Sequence, residues 1–397
     1  MRNIFIPLLV FCYGVLTSQN PAIEQANKLI ANKRYASAYE VLRGSDPNDQ
    51  IPEIAIAKSN LLLNFYIKTD RFQSFGLKDI APNQNLQDFR DNNANVKMLP
   101  YKPDSILSKL INQYPTNYQL NYALGNFYYE VHLIYSDDRW FSPDSVVIEN
   151  IQQNYLKAYN QGEFDYWSMF GIGYTYLLGE EYDRAIPFLE KSVELNSDYP
   201  LSYHNLAFAY LEKNDYQKAL NLAQKAFELQ EIPEFKAETA IVMGAIYQKL
   251  KNENKALEFL QMANKMLPND YHVLLPLLEL EMTMNRNEYQ KHVNELFLLD
   301  PSNPVIYQDL MKVYTENEKE KEYISFLDGK KNQYRASVPV SSNVHLYMAI
   351  AQYELDNWVA SKINFEKARN LFRSLYSPDH NVFKVIDSYT EAIKKKK

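Results

Sequence analysis

At 397 residues, with 14% aromatic side chains and only 10 glycines and 18 prolines, the chain can bury a large core and is neither disordered nor all-β. Its formal net charge of −7 has both signs scattered along the chain, so it presents no basic stripe to a phosphate backbone, and nucleic acid is disfavoured as a partner. The single cysteine is Cys12.

Residues 1–18 read as a signal peptide: Arg2, an apolar run from Ile4 to Leu16, then Thr17 and Ser18. The run is too short to span a bilayer core of about 30 Å as a helix. The mature chain is expected to begin at Gln19, with no transmembrane segment. A lipoprotein signal built on Cys12 is disfavoured by Phe11 immediately before it. The mature chain then holds no cysteine, so no thiol nucleophile, iron–sulfur cluster or thiolate zinc site is expected. The start resembles that of exported proteins of the Bacteroidetes. The periplasm is the expected location, with the cell surface or secretion second.

Residues 19–78 predict two helical hairpins. EQANKLIANKRYASAYEVLRG, with Ala26, Tyr35 and Ala38, forms the first, and Ile51 to Gly76 a looser second. Residues 79–103 are rich in Asn, Asp and Pro with few aliphatics and predict an irregular connection. DSILSKLINQYP predicts a helix with Asp104 as N-cap, ending at Pro115. Tyr118 to Gly162 predicts a hairpin with Gly125 and Tyr128 in its first helix and Ala158 in its second. VHLIYSDDRWFSPDSVV lengthens the turn between them.

From Tyr166 to Asp270 a unit of about 34 residues recurs. Small residues fall in register at Gly173, Ala207 and Gly244, at Ala185, Ala219 and Ala256, and at Ser192, Ala226 and Ala263. Tyr176, Tyr210 and Tyr247 follow the first set. Each unit carries two apolar stripes at helical spacing, split by a polar turn such as GEEYD or EKNDY. Two helices joined so tightly pack face to face at roughly 8–10 Å, with the small residues at the closest approach. One hairpin cannot bury its own apolar face, so neighbours must stack. Downstream, Tyr271 to Asn303 loses the small residues, and Pro276 is expected to kink or delay its first helix. Pro304 to Ser337 keeps Tyr314, and Ser342 to Leu375 recovers the form with Ala349, Ser361, Phe365 and Ala368. Residues 376–397 predict a capping helix with Val382, Ile386, Tyr389 and Ile393 on one face and Lys394 to Lys397 at its end.

This pattern resembles the tetratricopeptide repeat. The resemblance implies an all-α fold, a right-handed superhelix (an α-solenoid) of about eight or nine hairpins. The array is expected over 104–375, clearest at 166–270. Such arrays line a concave groove with the first helix of each hairpin. The family's groove places fall here on Gln119, Tyr122, Asn126, Tyr129 and Glu130, then on Trp167, Phe170, Tyr174 and Leu177, then on Leu201, His204, Asn205, Phe208 and Leu211. The nine taken as the partner-binding set are Tyr122, Asn126, Tyr129, Trp167, Phe170, Tyr174, His204, Asn205 and Phe208. A chaperone-type carboxylate clamp is not expected. Asn126 and Asn205 stand where it uses asparagine, but Phe170, Glu238 and Val242 stand where it needs cations.

Little else points to chemistry. The six histidines lie far apart, and H-E-x-x-H does not occur. His204 and His272 near the starts of first helices are read as independent, and Gly171-Ile172-Gly173 as helix packing inside a helix. Asp137-Asp138 and Glu180-Glu181 belong to solvated turns. No catalytic residue, cofactor or metal is expected. The rings from Tyr122 to Phe208 either grip an extended peptide or partner helix in the cell envelope, or stack on a glycan or peptide for uptake or sensing. Alternatively, neighbouring helices or the insertion with Tyr135, Trp140 and Phe141 cover them. The expected function is a non-enzymatic scaffold or adaptor.

Overall fold

The computed structural model describes residues 20–91, 95–136 and 140–396. The expected signal peptide, Cys12 and the cleavage point lie outside the described residues, as do Asp137, Asp138 and Lys397. Among the described residues the chain forms helical hairpins in series and one small sheet. It divides into two compact units, one ending at Asp215 and the other beginning at Tyr216.

In the first unit, α1 (Pro21–Ala31) and α2 (Tyr35–Ser45) form the short hairpin anticipated from Ala26 and Ala38, both of which are buried. α3 (Pro52–Phe65) packs on α2, but residues 51–76 hold no second helix to form the hairpin expected there. Instead β1 (Lys68–Asp70), β2 (Ser74–Gly76) and β3 (Met98–Pro100) form an antiparallel sheet in that order. The β1–β2 turn holds Arg71 and Phe72 at φ of 46° and 56°, the left-handed geometry of a tight hairpin. A bulky residue is strained there, and burial offsets the strain. Phe72 is 0% exposed, with its ring edge-on to Tyr66, Phe127 and Tyr135.

The stretch expected to be irregular contains a short helix, α4 (Leu86–Asp91), as well as β3. Arg90 of α4 donates to the Tyr66 carbonyl at 2.7 Å and lies 4.6 Å above the Tyr66 ring. α5 (Pro103–Gln113) starts earlier than expected: Lys102, not Asp104, is its N-cap. Pro103 takes the first helical position, where a missing N–H breaks no bond.

Three further elements complete this unit's described array: the hairpin α6 (Tyr118–Tyr135) with α7 (Asp144–Tyr159), the hairpin α8 (Tyr166–Leu178) with α9 (Tyr182–Leu195), and α10 (Pro200–Glu212). The insertion between α6 and α7 braces the β1–β2 turn. Trp140 Nε1–H donates to the Arg71 carbonyl at 3.0 Å, and its ring meets Phe127 and Tyr128. The small residues sit where the register placed them: a Cβ on Gly173 would stand 2.6 Å from Cγ of Leu189 on the facing helix.

The second unit begins with α11 (Tyr216–Leu229). Hairpins follow: α12 (Pro233–Lys249) with α13 (Glu253–Met266), α14 (Tyr271–Thr283) with α15 (Tyr289–Leu299), α16 (Pro304–Glu316) with α17 (Glu320–Gln333), and α18 (Val338–Glu354) with α19 (Trp358–Phe372). α20 (Asn381–Lys395) then packs on α19 and α18, burying Phe383, Ile386 and Ile393. Pro276 does not delay its helix: α14 starts at Tyr271 and runs through it, held by buried Val273, Leu274, Leu277 and Leu278. α18 is buried all round from Val340 to Gln352, and Ser342, Asn343, His345 and Gln352 hydrogen-bond inside the unit. His345 Nδ1 lies 2.7 Å from Asn364 Oδ1, and Asn364 donates to Gln352 at 2.8 Å.

One device closes the first helix of nearly every hairpin. Lys33, Glu180, Lys251, Asn285, Glu318 and Asp356 each follow such a helix at φ between 54° and 58°. This left-handed residue stops the helix and turns the chain back. The sequence fills the position with lysine, glutamate, asparagine or aspartate, so the repeat shows no glycine signature there.

Candidate partner-binding face

The expected groove residues come from α6, α8 and α10, all within the first unit. Two of these helices, α6 and α8, are held at a fixed approach by one tyrosine. Tyr155 of α7 is fully buried between α6 and α8, and its hydroxyl donates to Asn126 Oδ1 at 2.7 Å. A Cβ on Gly125 would stand 2.6 Å from Cδ1 of that ring, and one on Gly171 2.6 Å from Cε2. Asn126 is therefore a structural acceptor, 3% exposed.

Tyr129, Trp167 and Phe170 are likewise interior, at 4%, 3% and 3% exposure. Tyr129 meets Trp167 edge-on at 5.0 Å, and Tyr199 closes the cluster edge-on to Phe170 at 5.3 Å. Burial pushes the phenols of Tyr129, Tyr155 and Tyr199 well above their ordinary pKa. Neighbouring helices thus cover these rings. The insertion supplies Trp140 to Phe127 and Tyr128 instead.

The remaining members are half-buried: Tyr122, Tyr174, His204, Asn205 and Phe208. Tyr122 donates to Asp165 Oδ2 at 2.8 Å, and Asp165 is the N-cap of α8, in a capping box with Ser168. Tyr174 stacks nearly parallel on Phe170 at 6.1 Å. Its hydroxyl lies 3.1 Å from His132 Nε2, and His132 Nδ1 lies 2.7 Å from Asp144 Oδ1, which ties α6, α7 and α8 together. Phe208 meets Tyr182 edge-on at 6.3 Å.

Two titratable groups on these helices are perturbed. Burial raises Glu130 to about 7, with Arg90 pulling the other way. Burial alone lowers His204 to about 4. Both shifts disfavour the charged form. Among the described residues, no group of three His, Cys, Asp or Glu is placed to hold a metal ion. No described helix is long and apolar enough to cross a membrane.

Sequence reasoning missed Tyr199, His132 and Tyr155 as members of this network. Asp165 was findable, because aspartate three residues before Ser168 at the head of an apolar run is a helix-start signature.

Residues 168–199 and 188–221 match sequence models of the tetratricopeptide repeat. No curated protein matches the chain. Among solved structures, the chain is similar to a tetratricopeptide repeat protein from Parabacteroides merdae, at 16% identity and a TM-score of 0.42, covering 70% of this chain and 99% of that one. It is also similar to pilF of Pseudomonas aeruginosa, at 14% identity and a TM-score of 0.42, over 55% and 96% of the two chains. A third is YrrB, described as a TPR protein with an unusual peptide-binding site, at 18% identity and a TM-score of 0.34, over 47% and 95%.

Proposed function

We propose that this protein is a non-enzymatic adaptor that holds an extended segment or helix of a partner protein on the face of α6, α8 and α10. The observation carrying this reading is a two-tier face. Half-exposed Tyr174 packs on a fixed layer of buried rings, Tyr129, Trp167 and Phe170, and half-exposed His204, Asn205 and Phe208 follow on α10, which contacts α8. A preorganised face with a few protruding anchors limits the ordering cost of binding. Asn205 supplies polar atoms that can pair with a peptide backbone, while Phe208 supplies apolar area. A protein partner suits this face better than a glycan, since rings exposed by 3–4% offer no platform for a sugar.

The leader over residues 1–18 supports export, and the cell envelope, with the periplasm first, is the proposed place of work. Cell fractionation with N-terminal sequencing tests this: a periplasmic chain beginning near Gln19 supports it, and an uncleaved cytosolic chain refutes it. The adaptor reading is tested with the full chain carrying Asn205→Ala and Phe208→Ala. A stoichiometric partner captured from envelope extract by the unaltered chain should be lost while the helical circular dichroism is kept and the melting temperature stays well above that of the assay. Retained capture overturns the reading.

A further inference from the structure

We infer that the turn between α18 and α19 is a binding site for an alkylammonium group, the lysine side chain of a partner protein, and that Lys396 fills it in cis. The site lies wholly within the second unit, and the inference does not depend on the face proposed above.

Three groups surround the Lys396 ammonium. Its Nζ lies 5.2 Å from the Tyr353 ring centre, 5.1 Å from that of Trp358, and 3.7 Å from Asp356 Oδ1. Two aromatic faces with one carboxylate select a cation: the rings offer their negative faces and the carboxylate a full charge. The parts are held in place independently of Lys396. Tyr389 meets Tyr353 edge-on at 5.0 Å, and Asp356 is fixed at φ 58° by the turn. Trp358 is an unusual choice for packing alone, because its buried indole N–H finds no acceptor, and such orphans are rare in native interiors.

The ammonium and its carboxylate are reached by solvent. The Lys396 side chain is 44% exposed and Asp356 74%, so a lysine from outside can displace the internal one. A methylated ammonium also fits, since it keeps the charge and adds contact with the rings. Because Lys396 is tethered, it competes at a high effective concentration, and an outside ligand binds more weakly until it is removed.

The test follows the Trp358 indole N–H peak by NMR in the full chain, assigned among the three tryptophans by Trp358→Phe. Tetramethylammonium is the probe, and 3,3-dimethyl-1-butanol, which carries an uncharged tert-butyl group of similar size, is the control. In Lys396→Ala the peak should shift saturably with tetramethylammonium and not with the alcohol. The unaltered chain should need at least fivefold more probe. The inference is overturned if the peak stays still in Lys396→Ala, if the alcohol shifts it equally, or if both chains titrate alike.

Discussion

The ring of Tyr155 occupies the space a side chain on Gly171 would need, with Cε2 2.6 Å from the ideal Cβ position. The same ring meets Gly125 from the other side. One residue of α7 thus sets how closely α6 and α8 approach. Gly171→Ala should force the ring aside and cost about 1–3 kcal/mol. Tyr155→Phe keeps the shape but removes the bond to Asn126, at about 1 kcal/mol. Urea unfolding measures both, and the alanine variant should be the more damaging.

Trp167 and Phe208 were expected to play the same part, but the structure separates them. Trp167 is 3% exposed inside a ring cluster, and Trp167→Ala should lose about 3–5 kcal/mol. Phe208 is half-buried, and Phe208→Ala should cost less than half as much. Thermal melts of the two single variants decide this. Equal losses would mean that Phe208 is core and not an anchor.

Glu130 and His204 give stability opposite slopes with pH. Glu130 has a folded pKa of about 7 against an ordinary 4.5. The unfolded chain therefore ionises first, and stability falls as pH rises from about 4.5 to 7. Glu130→Gln should remove this fall and raise the melting temperature at pH 7.5 while changing it little at pH 4.5. His204 is the reverse, with a folded pKa of about 4 against 6.5. Its unfolded form gains a proton first, so stability falls as pH drops from 6.5 towards 4. His204→Gln should flatten that limb. Melting curves across pH 4–8 read both.

The left-handed turn residues are an untapped source of stability. Lys251 sits at φ 57° and is exposed. A side chain in that conformation costs about 1–2 kcal/mol, and glycine relieves it at some cost in unfolded-state entropy. Lys251→Gly should gain about 0.5–1 kcal/mol by urea unfolding.

The hairpins were legible because small residues recur wherever two backbones approach, as Gly173 does against Leu189. The sheet was not, because strands of three residues such as Lys68–Asp70 are too short to show a period of two. The face was half legible. A ring at a first-helix position is required both by a groove and by a core, and spacing alone does not distinguish Trp167 from Phe208. Tyr199 went unread because it sits in a turn, outside any helical stripe, and reaches the cluster through the stacking of neighbouring hairpins.

Photo-crosslinking in living cells shows whether the α6–α8–α10 face holds a partner. A photoreactive phenylalanine analogue is placed at Phe208, and in a second chain at exposed Glu194 on α9. One discrete protein adduct is expected from position 208 and none of that mass from 194. The same adduct from both positions, or none from 208 in a folded chain, would contradict it.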